Sequence, residues 1–203
     1  MRTPWLLLTI GALAVSGWLL PDTIYLSDPP ALGYNPPGLP EGHPATSVEK
    51  DEGTGFRVDP SKPWSIYFSR GSGLYPSYVT IELNNEGRLT LRRMRRERDW
   101  KGKPVAEMAT ATLPPEAVAR VLEAVKANEL MKLEKSYSSG WVDGCQCTLQ
   151  IRQGDQAKEV YFDNHFPESL VRFVTVLDET VAHSVGPRLV WRVEPVGGNR
   201  GVP

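Results

Sequence analysis

Cys145-Gln146-Cys147, with Asp143 just before it and Asp163 and His165 further along, are the residues whose types and spacing could do chemistry. Two thiols separated by one residue suit a redox pair, or half of a metal site that His165 would complete. Asp163 and His165 read as a carboxylate and imidazole for acid and base work. A hydrolase or metal-dependent enzyme near Asp143, Cys145, Cys147, Asp163 and His165 is therefore one reading of the chain. It demands convergence, because metal ligands must meet about 2 Å from a single point.

The strand pattern around the cysteines argues against that convergence. Cys145, Cys147, Leu149 and Ile151 fall on one strand face, and Gln146, Thr148, Gln150 and Arg152 on the other. The cysteines thus read as small inward hydrophobes. A turn at Gln153-Gly154-Asp155-Gln156 sets Cys147 opposite Phe162 and Leu149 opposite Val160, and places His165 on the polar face opposite Gly144. Asp143-Gly144 has turn chemistry, and Asn164-His165-Phe166-Pro167 reads as a helix start. Ser72, between Gly71 and Gly73, lacks the spacing of a nucleophile elbow, and these glycines lack a phosphate-loop lysine. These readings assign no catalytic residue, no metal ligand and no cofactor.

The elements that would position these residues are visible as alternation. Ile66 and Phe68, then Val79, Ile81 and Leu83, then Leu89 and Leu91 mark three half-buried strands, with a hairpin turn at Asn84-Asn85-Glu86-Gly87. A weaker strand covers Val105 to Thr112. Pro115 opens a helix with Val118, Val121, Leu122 and Val125 on one face. Two strands follow, Cys145 to Arg152 and Lys158 to Asp163. A second helix begins at Pro167 and carries Leu170, Phe173, Val174, Leu177 and Val181 on its apolar face. The expected fold class is α+β: an antiparallel sheet of about six strands with two helices on one face, in the order ββββαββα.

Two surfaces suggest binding. Tyr67, Tyr78 and Tyr161 fall at outward parity on three strands, beside Thr80, Gln146 and Thr148. Arg92, Arg93, Arg95 and Arg96, with Arg88, Lys101 and Lys103 nearby, make a basic hairpin end suited to an anionic partner.

The 203 residues carry a formal charge of -1, which gives no whole-chain reason to expect nucleic acid. Two cysteines cannot form a disulfide framework. The uncharged run Trp5 to Leu20 follows Arg2 and ends at Pro21-Asp22, the pattern of an export segment with the bulk of the chain on the far side. A helix over that run would be about 24 Å long against a hydrocarbon core of about 30 Å, short for a span, while Trp5 and Trp18 sit where an anchor places interfacial aromatics. The organisation expected is a signal peptide or membrane anchor at 1–20, a Pro/Gly-rich linker at 21–62, the α+β domain at 63–186, and a tail at 187–203 that includes an edge strand over Leu189 to Val193.

The stretch Gly71-Ser72-Gly73-Leu74-Tyr75-Pro76-Ser77-Tyr78, with Pro114-Pro115-Glu116 opening a helix, resembles a family of bacterial envelope domains of unknown function. Their signature is Cys-Phe-Gly-x-Cys-Pro-x-Tyr. Gly71 and Tyr75 stand here where the two signature cysteines would be. The resemblance implies an α+β domain outside the cytoplasm and brings no activity with it. The functional expectation is a membrane-tethered or secreted binding or scaffold module, whose partner is an envelope protein or an anionic envelope component.

Overall fold

The computed structural model describes residues 38–40, 42–53, 56–72, 78–96, 104–141 and 144–194. The chain divides into units at 1–30 and 31–203, and every described residue lies in the second. The expected export segment at 1–20, Asp143, and the side chains of Arg95 and Arg96 lie outside what is described. Among the described residues, no helix is long and apolar enough to cross a membrane.

The elements run β1 (Ser47–Glu49), β2 (Trp64–Ser72), β3 (Tyr78–Asn84), β4 (Arg88–Arg96), β5 (Pro104–Thr112), α1 (Pro115–Ala127), β6 (Ser136–Ser138), β7 (Cys145–Gln153), β8 (Gln156–Asp163), α2 (Glu168–Ser184) and β9 (Arg192–Val193). They build one sheet in the order β1-β6-β8-β7-β2-β3-β4-β5-β9. Only the pairing of β6 with β8 is parallel among the described strands.

This corrects the expected six-stranded antiparallel sheet of order ββββαββα. Among the described residues the sheet has nine strands, is mixed, and dominates the domain. The three strands that the sequence did not count toward the sheet have two or three residues each. Alternation needs about 4–8 residues to register, so β1 and β6 are invisible to it, while β9 lies within the Leu189 to Val193 stretch expected as an edge strand. The parallel pairing arises because β6 returns after α1 and lies beside β8 rather than beside its sequence neighbour β7.

The stretch assigned to the linker is also not all linker. The His43 amide donates to the Asn164 carbonyl at 2.7 Å, β1 pairs with β6, and Val58 enters the core. Gln153 clips this segment from both sides, accepting from the Asp59 amide at 2.9 Å and donating to the Asp59 carbonyl at 2.7 Å. These attachments are backbone hydrogen bonds and isolated side chains, so no hydrophobic period announces them.

One face of the sheet supplies Ile66, Phe68, Ile81, Leu83, Leu89, Leu91, Leu149, Ile151, Val160 and Phe162 to the core, and α1 and α2 cover it with Val121, Val125, Leu170, Phe173, Val174 and Leu177. Each such side chain contributes roughly 1.5–3 kcal/mol of burial. Gly87 fixes the approach of α1. Its φ is +78°, and a Cβ there would lie 2.4 Å from the Leu113 carbonyl oxygen, whose own amide donates back to the Gly87 carbonyl at 2.8 Å.

Candidate functional site

The strand registers line up two rows across the middle of the sheet, one on each face. On the inner face Phe162 of β8 is opposite Cys147 of β7, Cys147 opposite Arg70 of β2, Arg70 opposite Val79 of β3, Val79 opposite Arg93 of β4, and Arg93 opposite Glu107 of β5. This row lies where the apolar core gives way to charge. Arg70 donates through Nη1 and Nη2 to Asp178 of α2 at 2.7 and 3.1 Å, a bidentate pair with both partners buried. Arg93 donates to Glu107 at 2.7 Å and lies over the Trp191 ring at 4.0 Å.

The two cysteines meet at the Arg70 end of this row. Their Sγ atoms are 3.8 Å apart, and no disulfide joins them. Cys147 is 1% exposed, whereas Cys145, at the start of β7, is only partly buried. The Cys147 thiol, the backbone of Gly71 and the Arg70 guanidinium hold the Cys145 thiol below its ordinary range, against the opposing effect of burial. The neighbouring Cys145 and burial push the Cys147 thiol up. The sequence reading of both cysteines as inward hydrophobes describes Cys147 well and Cys145 incompletely.

Asn164 anchors this end of β7. Its Oδ1 accepts from the Cys145 amide at 2.8 Å, its Nδ2 donates to the Trp141 carbonyl at 3.2 Å and to Asp163 Oδ1 at 2.9 Å, and its φ is +56°. Asp163 Oδ2 accepts from Ser138 Oγ at 3.1 Å. His165 Nδ1 donates to the His43 carbonyl at 2.7 Å, and its ring stacks on Tyr137 at 5.8 Å. Asp163, Asn164 and His165 therefore fasten the 42–49 segment and the start of β7 to the sheet edge. Among the described residues, no three His, Cys, Asp or Glu side chains are grouped to hold a metal ion.

The outer row uses the alternate residues of the same strands. Tyr161 is opposite Thr148, Thr148 opposite Ser69, Ser69 opposite Thr80, Thr80 opposite Arg92, and Arg92 opposite Met108. Tyr161 is 41% exposed, and Tyr67 and Tyr78 are partly buried at the same parity. Burial and the nearby Asp163 raise the Tyr161 hydroxyl above its ordinary range. Thr80 is only 8% exposed, and its hydroxyl finds no hydrogen-bond partner among the described residues. Arg92 is not an open cation: it donates to Glu82 at 2.6 Å and Glu194 at 3.3 Å. Of the basic hairpin, Arg92 and Arg93 are thus both engaged within the domain.

A cleft of about 580 Å³ opens elsewhere, between the 51–58 segment and the end of α1, lined by Phe56, Val58, Met131 and Lys158 among others. Lys158 is buried on the inner face and bonded to Asp51 and the Leu133 carbonyl.

Sequence reasoning missed Arg70, Asp178, Glu107, Lys158 and Asn164. The first four carried a signal. Arg70 continues the parity of Ile66 and Phe68, Glu107 that of Ala109, Lys158 that of Val160, and Asp178 sits on the helix face of Val174, Leu177 and Val181. A charge at inward parity must be paired or near a site. No family model matches the chain, and no curated protein matches it. Any functional reading therefore rests on the fold and these surfaces.

Proposed function

We propose that the chain is an exported binding module, membrane-tethered or secreted, that presents the outer sheet face to a neutral glycan of the cell envelope. The observation that carries this is the register that sets Tyr161, Thr148, Ser69 and Arg92 in one row on the face opposite the helices, with the buried Thr80 between Ser69 and Arg92. Tyrosine rings offer flat apolar area at low entropic cost, and hydroxyl side chains both donate and accept, which matches the apolar faces and hydroxyl rims of sugars. The cation of the row is already paired with Glu82 and Glu194, so the row presents no free positive charge to an anionic partner. The N-terminal export pattern and the resemblance to envelope domains support a partner of that compartment.

Electrophoresis of the full chain through gels containing soluble neutral polysaccharides tests this. Retardation is expected, independent of salt, with Tyr161→Ala binding about tenfold more weakly, or ~1.4 kcal/mol. Unretarded migration in every neutral polysaccharide overturns the reading. So does retardation confined to anionic polymers and lost at physiological salt, which would return the role to an anionic partner.

A further inference from the structure

The inner end of β7 has a second capability, independent of glycan binding. We propose that Cys145-Gln146-Cys147 is a reversible dithiol–disulfide couple that exchanges with low-molecular-weight disulfides, Cys145 attacking and Cys147 resolving. Three observations converge on it. The Sγ atoms are already in contact at 3.8 Å on one strand face. Their exposures differ in the sense exchange requires, with Cys145 partly open and Cys147 sealed. A guanidinium fixed bidentately by Asp178 stands opposite Cys147 in the register. The direction in which each thiol's acidity is shifted agrees with these roles.

The Cys145 thiolate attacks one sulfur of the small disulfide, whose S–S bond breaks. One small thiolate leaves and takes up a proton, and Cys145 carries a mixed disulfide. Cys147 then attacks Cys145 Sγ, its proton passing to the second departing thiolate. Two electrons move from the protein dithiol to the small disulfide, giving one Cys145–Cys147 bond and two small thiols.

The bond so formed is a labile one. Residues two apart on a strand have Cα atoms about 6.6 Å apart, near the long end of the usual disulfide range of about 4.4–6.8 Å. Strained disulfides are readily reduced, as suits a redox couple rather than a structural staple.

The full chain, reduced and then treated with excess glutathione disulfide, is quenched in acid, freed of glutathione, unfolded in guanidinium chloride at near-neutral pH with excess maleimide, and weighed intact. The expected product has no reactive thiol, is lighter by two hydrogens, carries no glutathione, and reverts with dithiothreitol. Cys147→Ala should stop at a stable glutathione adduct on Cys145. In the reduced native protein, iodoacetamide should modify Cys145 at least tenfold faster than Cys147. Two thiols still reactive after oxidation, a persistent glutathione adduct on the wild-type chain, or a disulfide-linked dimer each overturn the proposal. Should Cys147→Ala fail to fold, the wild-type mass alone decides.

Discussion

Ser69 and Arg70, Thr80 and Val79, Arg92 and Arg93, Met108 and Glu107, Thr148 and Cys147 are neighbours in sequence, yet they belong to two rows with different surroundings. The inner row lies under α2 and near Trp191, where a charge persists only when paired: Arg70 with Asp178, Arg93 with Glu107. The outer row lies opposite the helices, where Arg92 is paired at partial exposure with Glu82 and Glu194 and Ser69, Thr148 and Tyr161 reach solvent. The comparison teaches that one set of strands holds the fold with one parity and offers a surface with the other. Under the proposed function, binding on this sheet is a matter of parity, while the two cysteines set their thiols on the structural side.

The largest effect should come from breaking the inner row at its most buried pair. Asp178→Ala removes the carboxylate that holds the buried Arg70 guanidinium bidentately and is expected to cost about 3–5 kcal/mol in urea unfolding. Replacing both residues, Arg70→Met with Asp178→Leu, should recover most of that loss, since a well-packed apolar pair can match a buried ion pair.

A smaller loss is expected at the end of β7. Gly144 has φ +141°, and a Cβ there would fall 1.7 Å from Asn164 Oδ1. Gly144→Ala should cost about 1–3 kcal/mol through backbone strain and displacement of the Asn164 clasp. In an Asn164→Ala background its added cost should shrink, because the colliding atom is gone; a thermodynamic cycle of the two substitutions measures this directly.

The outer row should behave in the opposite sense. Thr80→Val removes a buried hydroxyl without a described partner, so stability should be unchanged or rise by up to about 1 kcal/mol. A clear loss in thermal unfolding would show that the hydroxyl is satisfied and that the outer row also holds the fold.

How much of this was legible beforehand depends on the physics of each element. The Cys147 to Phe162 and Leu149 to Val160 register was readable because an even turn joins two long alternating strands. Pro115 marked the start of α1 because its missing donor is tolerated there. The β1 and β6 strands were not readable, being too short for a period, whereas β9 lies within the Leu189 to Val193 stretch whose alternation suggests an edge strand. Arg70 and Asp178, over a hundred positions apart, could each be placed inward by parity, but only the folded chain shows that they meet. The clasp at Asn164 left no pattern at all, since a single amide with positive φ looks in sequence like any turn residue.

The division of the sheet is tested most directly at two adjacent residues. Urea unfolding of the full-chain variants Ser69→Ala and Arg70→Ala compares the rows at one point on one strand. The account expects Ser69→Ala to lie within about 0.5 kcal/mol of wild type and Arg70→Ala to lose about 3–5 kcal/mol, the cost of breaking the buried bidentate pair with Asp178. Comparable losses in the two variants, or a larger loss at Ser69, would contradict the account.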